Sequence, residues 1–112
     1  MNCTSLATVD IDNSDSMKNV SSLKDMFRGC SLLKNIGSWS MPKVTSMLSM
    51  FSGCTSLTTT SLNNILASLL TATSYTGTKT LQYIGLSSAQ ATTCTGLSNW
   101  AALSAAGWTT GY

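Results

Sequence analysis

The sequence predicts an α/β solenoid of about five helix-turn-strand layers with a short parallel sheet along one face, and three observations predict it. The first is an internal repeat. Val20, Leu23, Met26, Phe27, Gly29, Cys30 and Leu33 return in the same order and without a gap as Val44, Met47, Met50, Phe51, Gly53, Cys54 and Leu57, in NVSSLKDMFRGCSLL and KVTSMLSMFSGCTSL. The second is an earlier, partial copy, in which Cys3, Leu6 and Val9 precede Cys30, Leu33 and Ile36 by one constant, slightly longer offset. The third is the persistence of the same alternation of apolar stripes and polar turns to the C-terminus. Self-similarity at this period marks units that cannot bury their apolar face alone and must stack on neighbours.

Within one unit, Val20, Leu23, Met26 and Phe27 follow i, i+3, i+4 spacing, and Gly29 stands where a left-handed residue ends a helix, which predicts about two and a half helical turns. Leu33, Ile36 and Trp39 then predict a short extended rung. The next copy places a helix at Val44 to Phe51 and a rung at Leu57 to Ser61. Further on, Leu62, Ile65, Leu66, Leu69 and Leu70 form an amphipathic helical stripe, and TLQYIGL from Thr80 to Leu86 reads as extended. Leu97, Trp100, Ala101 and Leu103 predict a last helix, with Ser98 as N-cap and Gly107 as its stop. The expected organisation is one continuous domain, with three repeats over residues 1–61, the first truncated, and divergent C-terminal repeats or a cap over 62–112. Because the first copy lacks its helix, the N-terminal face is expected to be covered by missing repeats or by another chain.

Only 9% of the 112 residues are charged, with no Glu and no His. Nine of the ten charges lie between Asp10 and Lys43, so Lys79 alone carries charge from Val44 onward. A net charge of +2 is too weak for phosphate contacts to dominate affinity, which argues against nucleic acid. No apolar run approaches the roughly 20 residues that cross a bilayer, so membrane insertion is not expected. Cys3, Cys30 and Cys54 occupy one repeat position and predict a buried column of thiols, with a bridge between adjacent layers as the alternative and Cys94 left over. With all four cysteines far apart in sequence and no His, a metal site is not expected.

Catalysis has little to draw on. The four Asp residues are Asp10, Asp12, Asp15 and Asp25, and any Ser or Cys nucleophile lacks a customary activator. The run from Asp10 to Asp15 has alternating oxygens but neither the Gly nor the closing Glu of a calcium loop, and reads as a polar loop. Ice binding by a regular threonine array would rest only on Thr58 to Thr60 and Thr71 to Thr80, whose spacing is not periodic, and is not expected. Asn2 and Asn19 stand in formal glycosylation triplets, which a Ser/Thr-rich chain produces by chance. Met26, Met47 and Met50, with Phe27, Phe51 and Trp39, repeat in register and therefore read as core, not as a binding groove. The positions between them, Thr8, Asp10, Lys34, Asn35, Ser38, Thr58, Thr59 and Thr60, are the candidate ligand-binding residues, expected to line the strand face. They are small, mostly neutral and hydrogen-bonding, which suits a carbohydrate or a protein epitope.

The pattern V-x-x-[LM]-x-x-M-F-x-G-C-x-x-L resembles the BspA-type leucine-rich repeat of bacterial surface proteins, over Cys3 to Leu57. LNNILASLL, KTLQYIGL and the small-residue helix closing in AAGWTT look like the capping segment that follows such repeats in gut bacteria and phage tail proteins. The resemblance implies a leucine-rich-repeat solenoid, an extracellular place on a bacterial cell surface or virus particle, and roles in adhesion and partner recognition. It supplies no catalytic residue and no cofactor. The expectation is therefore a non-catalytic module that binds protein or glycan. The alternative is a structural part of a larger assembly such as a phage tail, with the repeats as a rigid spacer and neighbouring subunits as partners.

Overall fold

Alternate backbone N–H groups from Leu23 to Gly29 do not close a helix; they donate to the next copy of the repeat. In the computed structural model, which describes residues 8–9 and 19–112, Leu23, Asp25, Phe27 and Gly29 donate to the carbonyls of Ser46, Leu48, Met50 and Ser52 at 2.8, 3.0, 2.9 and 2.8 Å. The intervening N–H groups of Met26, Arg28 and Cys30 turn back along the chain, to Leu23, Asp25 and Phe27, each at 3.1 Å. The result is a run of tight turns. Asp25 and Ser49, equivalent positions of the two copies, both take left-handed backbone, with φ of 59° and 57°, which a continuous helix forbids. Neither 20–27 nor 44–51 is a helix, because successive tight turns put the same side chains on one side as the helical spacing would.

The elements that do form are few. Strand β1 (Thr8–Val9) pairs in parallel with β2 (Asn35–Ile36), matching Thr8 to Asn35 and Val9 to Ile36. Three short helices follow, α1 (Thr59–Leu69), α2 (Ser88–Cys94) and α3 (Trp100–Ala105). Isolated parallel bridges join Ser22 to Ser46 and Thr80 to Thr109. A five-layer leucine-rich-repeat solenoid is therefore not the fold. Among the described residues the helices are confined to the C-terminal half, the only ladder beyond single bridges is two residues long, and the molecule measures 35 × 31 × 21 Å. Its radius of gyration of 12.6 Å is that of a globule, for which about 13 Å is expected at this length.

The expected rung at 57–61 fails for a specific reason. Thr58 N–H still donates to the Lys34 carbonyl at 3.0 Å, but Thr58 then caps α1, its side chain accepting from Ser61 N–H. From there one polar stripe of α1, continued by Thr71 just past its end, takes over the work of a neighbouring strand. Ser61 Oγ accepts from Ile36 N–H (3.0 Å) and donates to Lys34 O (2.7 Å); Asn64 Nδ2 donates to Ile36 O (3.1 Å). Ser68 Oγ accepts from Trp39 N–H (2.9 Å) and Thr71 Oγ1 from Met41 N–H (2.9 Å). A buried backbone donor without a partner costs about 1–3 kcal/mol, so this stripe is what lets Ile36, Trp39 and Met41 be buried with so little sheet.

The opposite stripe of α1, Leu62, Ile65, Leu66 and Leu69, enters the core. There Phe27 stacks on Phe51 with ring centroids 5.5 Å apart, and Trp39 meets Phe51 at 6.4 Å. Met47, Met50 and Phe51 are completely buried, as the repeat register implies, whereas Met26 is 37% exposed. Cys30 and Cys54 are buried, and the Cys54 thiol donates to Phe27 O at 3.0 Å; Cys3 lies outside the described residues. The stretch 80–86 forms turns instead of a rung, and Gly85, at φ 98°, lets the backbone of Phe51 and Ser52 approach where no side chain would fit. Helix α2 is not signalled by an apolar stripe, since only Ala91 and Cys94 are buried, but it carries a capping box between Ser87 and Gln90. Helix α3 starts after Asn99, not Ser98, and ends near Gly107 at φ 99°.

Candidate recognition surface

The ladder bond from Thr58 to Lys34 brings together two segments that are distant in sequence. Lys34, Asn35 and Ser38 are exposed along the outside of the segment whose inner backbone faces α1. Thr58, Thr59 and Thr60 are exposed at the start of α1, so they belong to a helix N-terminus and not to a strand face. Thr8 is placed beside Asn35 by backbone pairing, and Asp10 lies outside the described residues. Thr58 is only partly available to a ligand. Its hydroxyl is engaged with Lys34 O (3.2 Å), Ser61 Oγ (2.9 Å) and Ser61 N–H (3.1 Å).

The surface is electrostatically quiet. Lys34 is the one charged side chain among its described members. Three other charges near the repeat are engaged locally: Arg28 and Asp25 stand 3.8 Å apart at the surface, and Lys43 Nζ donates to Asn19 Oδ1 at 3.2 Å. Lys79 Nζ reaches the Ala106 carbonyl at the end of α3, at 3.5 Å. Burial pushes the Cys94 thiol up to about 11, so it is protonated at neutral pH. Burial, with a smaller contribution from Tyr83, pushes Tyr75 up to about 12. Neither group adjoins the candidate residues in sequence. Among the described residues no cluster of His, Cys, Asp or Glu could hold a metal, and no helix is long and apolar enough to cross a membrane.

Sequence reasoning missed the amides that organise this half of the molecule. Asn63 Nδ2 donates to Ser98 Oγ (3.1 Å), while Asn99 donates through its N–H to Asn63 Oδ1 and through Nδ2 to Asn63 O, both at 3.1 Å. Gln90 Nε2 donates to Cys54 O at 2.6 Å, tying α2 to the second clear copy of the repeat. The signal for the α1 stripe was present as Ser61, Asn64, Ser68 and Thr71, at helical spacing opposite the apolar one. Here a polar stripe of an amphipathic helix is a working face as well, with Ser61 and Ser68 buried alongside the apolar one.

A family model described as Mycoplasma protein of unknown function, DUF285, matches residues 1–81, well over half of the 112. The chain belongs to this family. The match takes in both clear copies of the repeat, all of α1 and every candidate ligand-binding residue of this DUF285 member. No match is found among curated proteins or among solved structures.

Proposed function

We propose that this DUF285 protein is a non-catalytic recognition or adhesion module, displayed on a bacterial cell surface or virus particle, that binds protein or glycan through the surface around Lys34, Asn35, Ser38, Thr59 and Thr60. The observation that carries the reading is that these side chains, from two segments held together by the Thr58–Lys34 bond, are all exposed and, Lys34 apart, uncharged hydrogen-bonding groups. Polar groups of both donor and acceptor type suit sugar hydroxyls and peptide amides better than polyanions. The likeness of the V-x-x-[LM]-x-x-M-F-x-G-C-x-x-L pattern to BspA-type surface repeats supports the same reading, and that finer affiliation is part of the proposal. The test is a glycan array together with pull-downs from host-cell surface extracts, using the whole chain and the exposed-site variants Asn35→Ala, Ser38→Trp and Thr60→Ala. Binding that falls at least tenfold in Ser38→Trp supports the assignment; binding indifferent to all three variants, or none, sinks it.

A second reading, a structural part of an assembly with the repeats as a spacer, is favoured by one observation. From Val44 to Tyr112 the only charge is Lys79, and its amine is turned to the α3 C-terminus. Light scattering over a concentration series separates the two readings: self-association supports the assembly part, and a monomer that binds glycan or protein supports recognition.

A further inference from the structure

The two clear copies of the repeat have the same sequence pattern and unequal surroundings. Met50 is completely buried, whereas Met26, its equivalent in the earlier copy, is 37% exposed. The backbone repeats the contrast. The carbonyls of Ser46, Leu48, Met50 and Ser52 each accept an N–H from the preceding copy, while their equivalents, the carbonyls of Ser22, Lys24, Met26 and Arg28, accept no hydrogen bond from any described residue. Four acceptors at alternate residues, next to a half-covered methionine, form an edge of known register that no described segment pairs.

We propose that this edge is a docking surface for a further polypeptide segment of the V-x-x-[LM]-x-x-M-F-x-G-C pattern, which adds to it by backbone pairing. The occupant is read from within the molecule. The only described backbone that meets such a row is residues 23–29 lying on 46–52, with donors at alternate residues and Phe27 stacked on Phe51. A second copy of the same edge cannot serve. The N–H groups of Leu23, Asp25, Phe27 and Gly29 are spent on the next copy, and those of Met26 and Arg28 are turned back along the chain, so two such edges would set acceptor against acceptor. Lys24 flanks the edge as an exposed cation where its equivalent in the later copy is the uncharged Leu48, while Arg28 stands 3.8 Å from Asp25. A charge at this position blunts the edge against indiscriminate strand addition. Strand addition of this kind draws affinity from main-chain bonds and selectivity from alternate side chains.

The experiment titrates a labelled peptide of sequence KVTSMLSMFSGCTSL, residues 43–57, into the whole chain by fluorescence anisotropy. Saturable binding is expected. N-methylation of the peptide at the residues corresponding to Met47, Ser49 and Phe51, the donors by register, weakens it at least tenfold, and N-methylation at Thr45 or Leu48 changes it less than threefold. In the chain, Met26→Lys alters an already exposed side chain and is expected to weaken binding at least tenfold with the circular dichroism spectrum unchanged. No saturable binding, equal binding of a scrambled peptide, or equal sensitivity to every N-methyl position would overturn the proposal. Cross-linking of Met26→Cys into a homodimer in the absence of peptide would overturn the choice of occupant.

Discussion

Ser68→Ala isolates the role of α1 as the partner of a buried backbone. Ser68 is completely buried, accepts from Trp39 N–H at 2.9 Å and donates to Asn64 O at 2.9 Å. Removing its oxygen leaves the Trp39 donor stranded among buried side chains, since Trp39 itself is only 2% exposed. An orphaned buried donor costs about 2 kcal/mol, and alanine returns about 0.5 kcal/mol in helix propensity, for a net loss of about 1.5 kcal/mol. With an unfolding entropy of about 2.1 cal/mol/K per residue over 112 residues, the melting temperature falls by about 6 °C. Thermal melts and urea unfolding followed by tryptophan fluorescence read the change, and hydrogen exchange at the Trp39 amide reads its cause. Thr92→Ala, which removes an exposed hydroxyl bonded only to Ser88 O on its own helix, is the control and stays within about 0.5 kcal/mol. A Ser68→Ala melt within about 2 °C of the parent, under a third of the expected shift, or Trp39 exchange unchanged, would refute the argument that the helix side chain replaces a strand.

Gly85→Ala is expected to cost about 3 kcal/mol or more, because left-handed backbone is joined by a Cβ 2.8 Å from Ser52 Cα. Gly37→Ala, with nothing within 4 Å and ordinary backbone, is expected to be neutral or to stabilise by up to about 1 kcal/mol in the same urea titration. Ser49→Gly relieves left-handed backbone at φ 57° and is expected to raise stability by about 0.5 kcal/mol in thermal melts. Cys94 is expected to resist Ellman's reagent at pH 8 until the protein unfolds. Because the folded-state thiol titrates near 11, above its unfolded value, the folded state holds the proton more tightly; the contribution of Cys94 is intact below about pH 9 and is lost as pH rises toward 11. Urea midpoints measured from pH 7 to pH 11 check that direction.

The core was legible in the sequence because the repeat assigns one burial state to equivalent positions. Leu33, Ile36, Trp39, Met47, Met50, Phe51 and Cys54 are all buried as read. The backbone conformation was not, since apolar residues three and four apart face one way in an α-helix and also in successive tight turns. Only the left-handed residues at Asp25 and Ser49 decide between them, and neither residue type announces that conformation. Helix α1 was readable from Leu62, Ile65, Leu66 and Leu69, but its start was not, because Thr58 serves a strand bond and a helix cap at once. Met26 broke the rule of equivalence, since burial depends on how many neighbours a copy has, which a pattern does not encode. Of the candidate surface, Lys34, Asn35 and Ser38 were placed by counting outward-facing positions, and Thr58 to Thr60 arrive beside them on a different element.

The bonds that join the copies to one another and to the helices have a consequence for how the chain reaches this state. Ile36 to Ser61, Trp39 to Ser68, Cys54 to Phe27, Gln90 to Cys54 and Asn99 to Asn63 close stretches of 25, 29, 27, 36 and 36 residues. Each closure costs about 3 kcal/mol of chain entropy beyond a constant, nearly the same for all, because the dependence on length is logarithmic. No closure is privileged by being short, and α2 and α3, at 7 and 6 residues, are below the length that holds a helix in water without tertiary support. Although its longest elements are helical, the chain must search like a β protein, on the millisecond-to-second scale of non-local folds, and helix content and core burial arise together instead of in sequence.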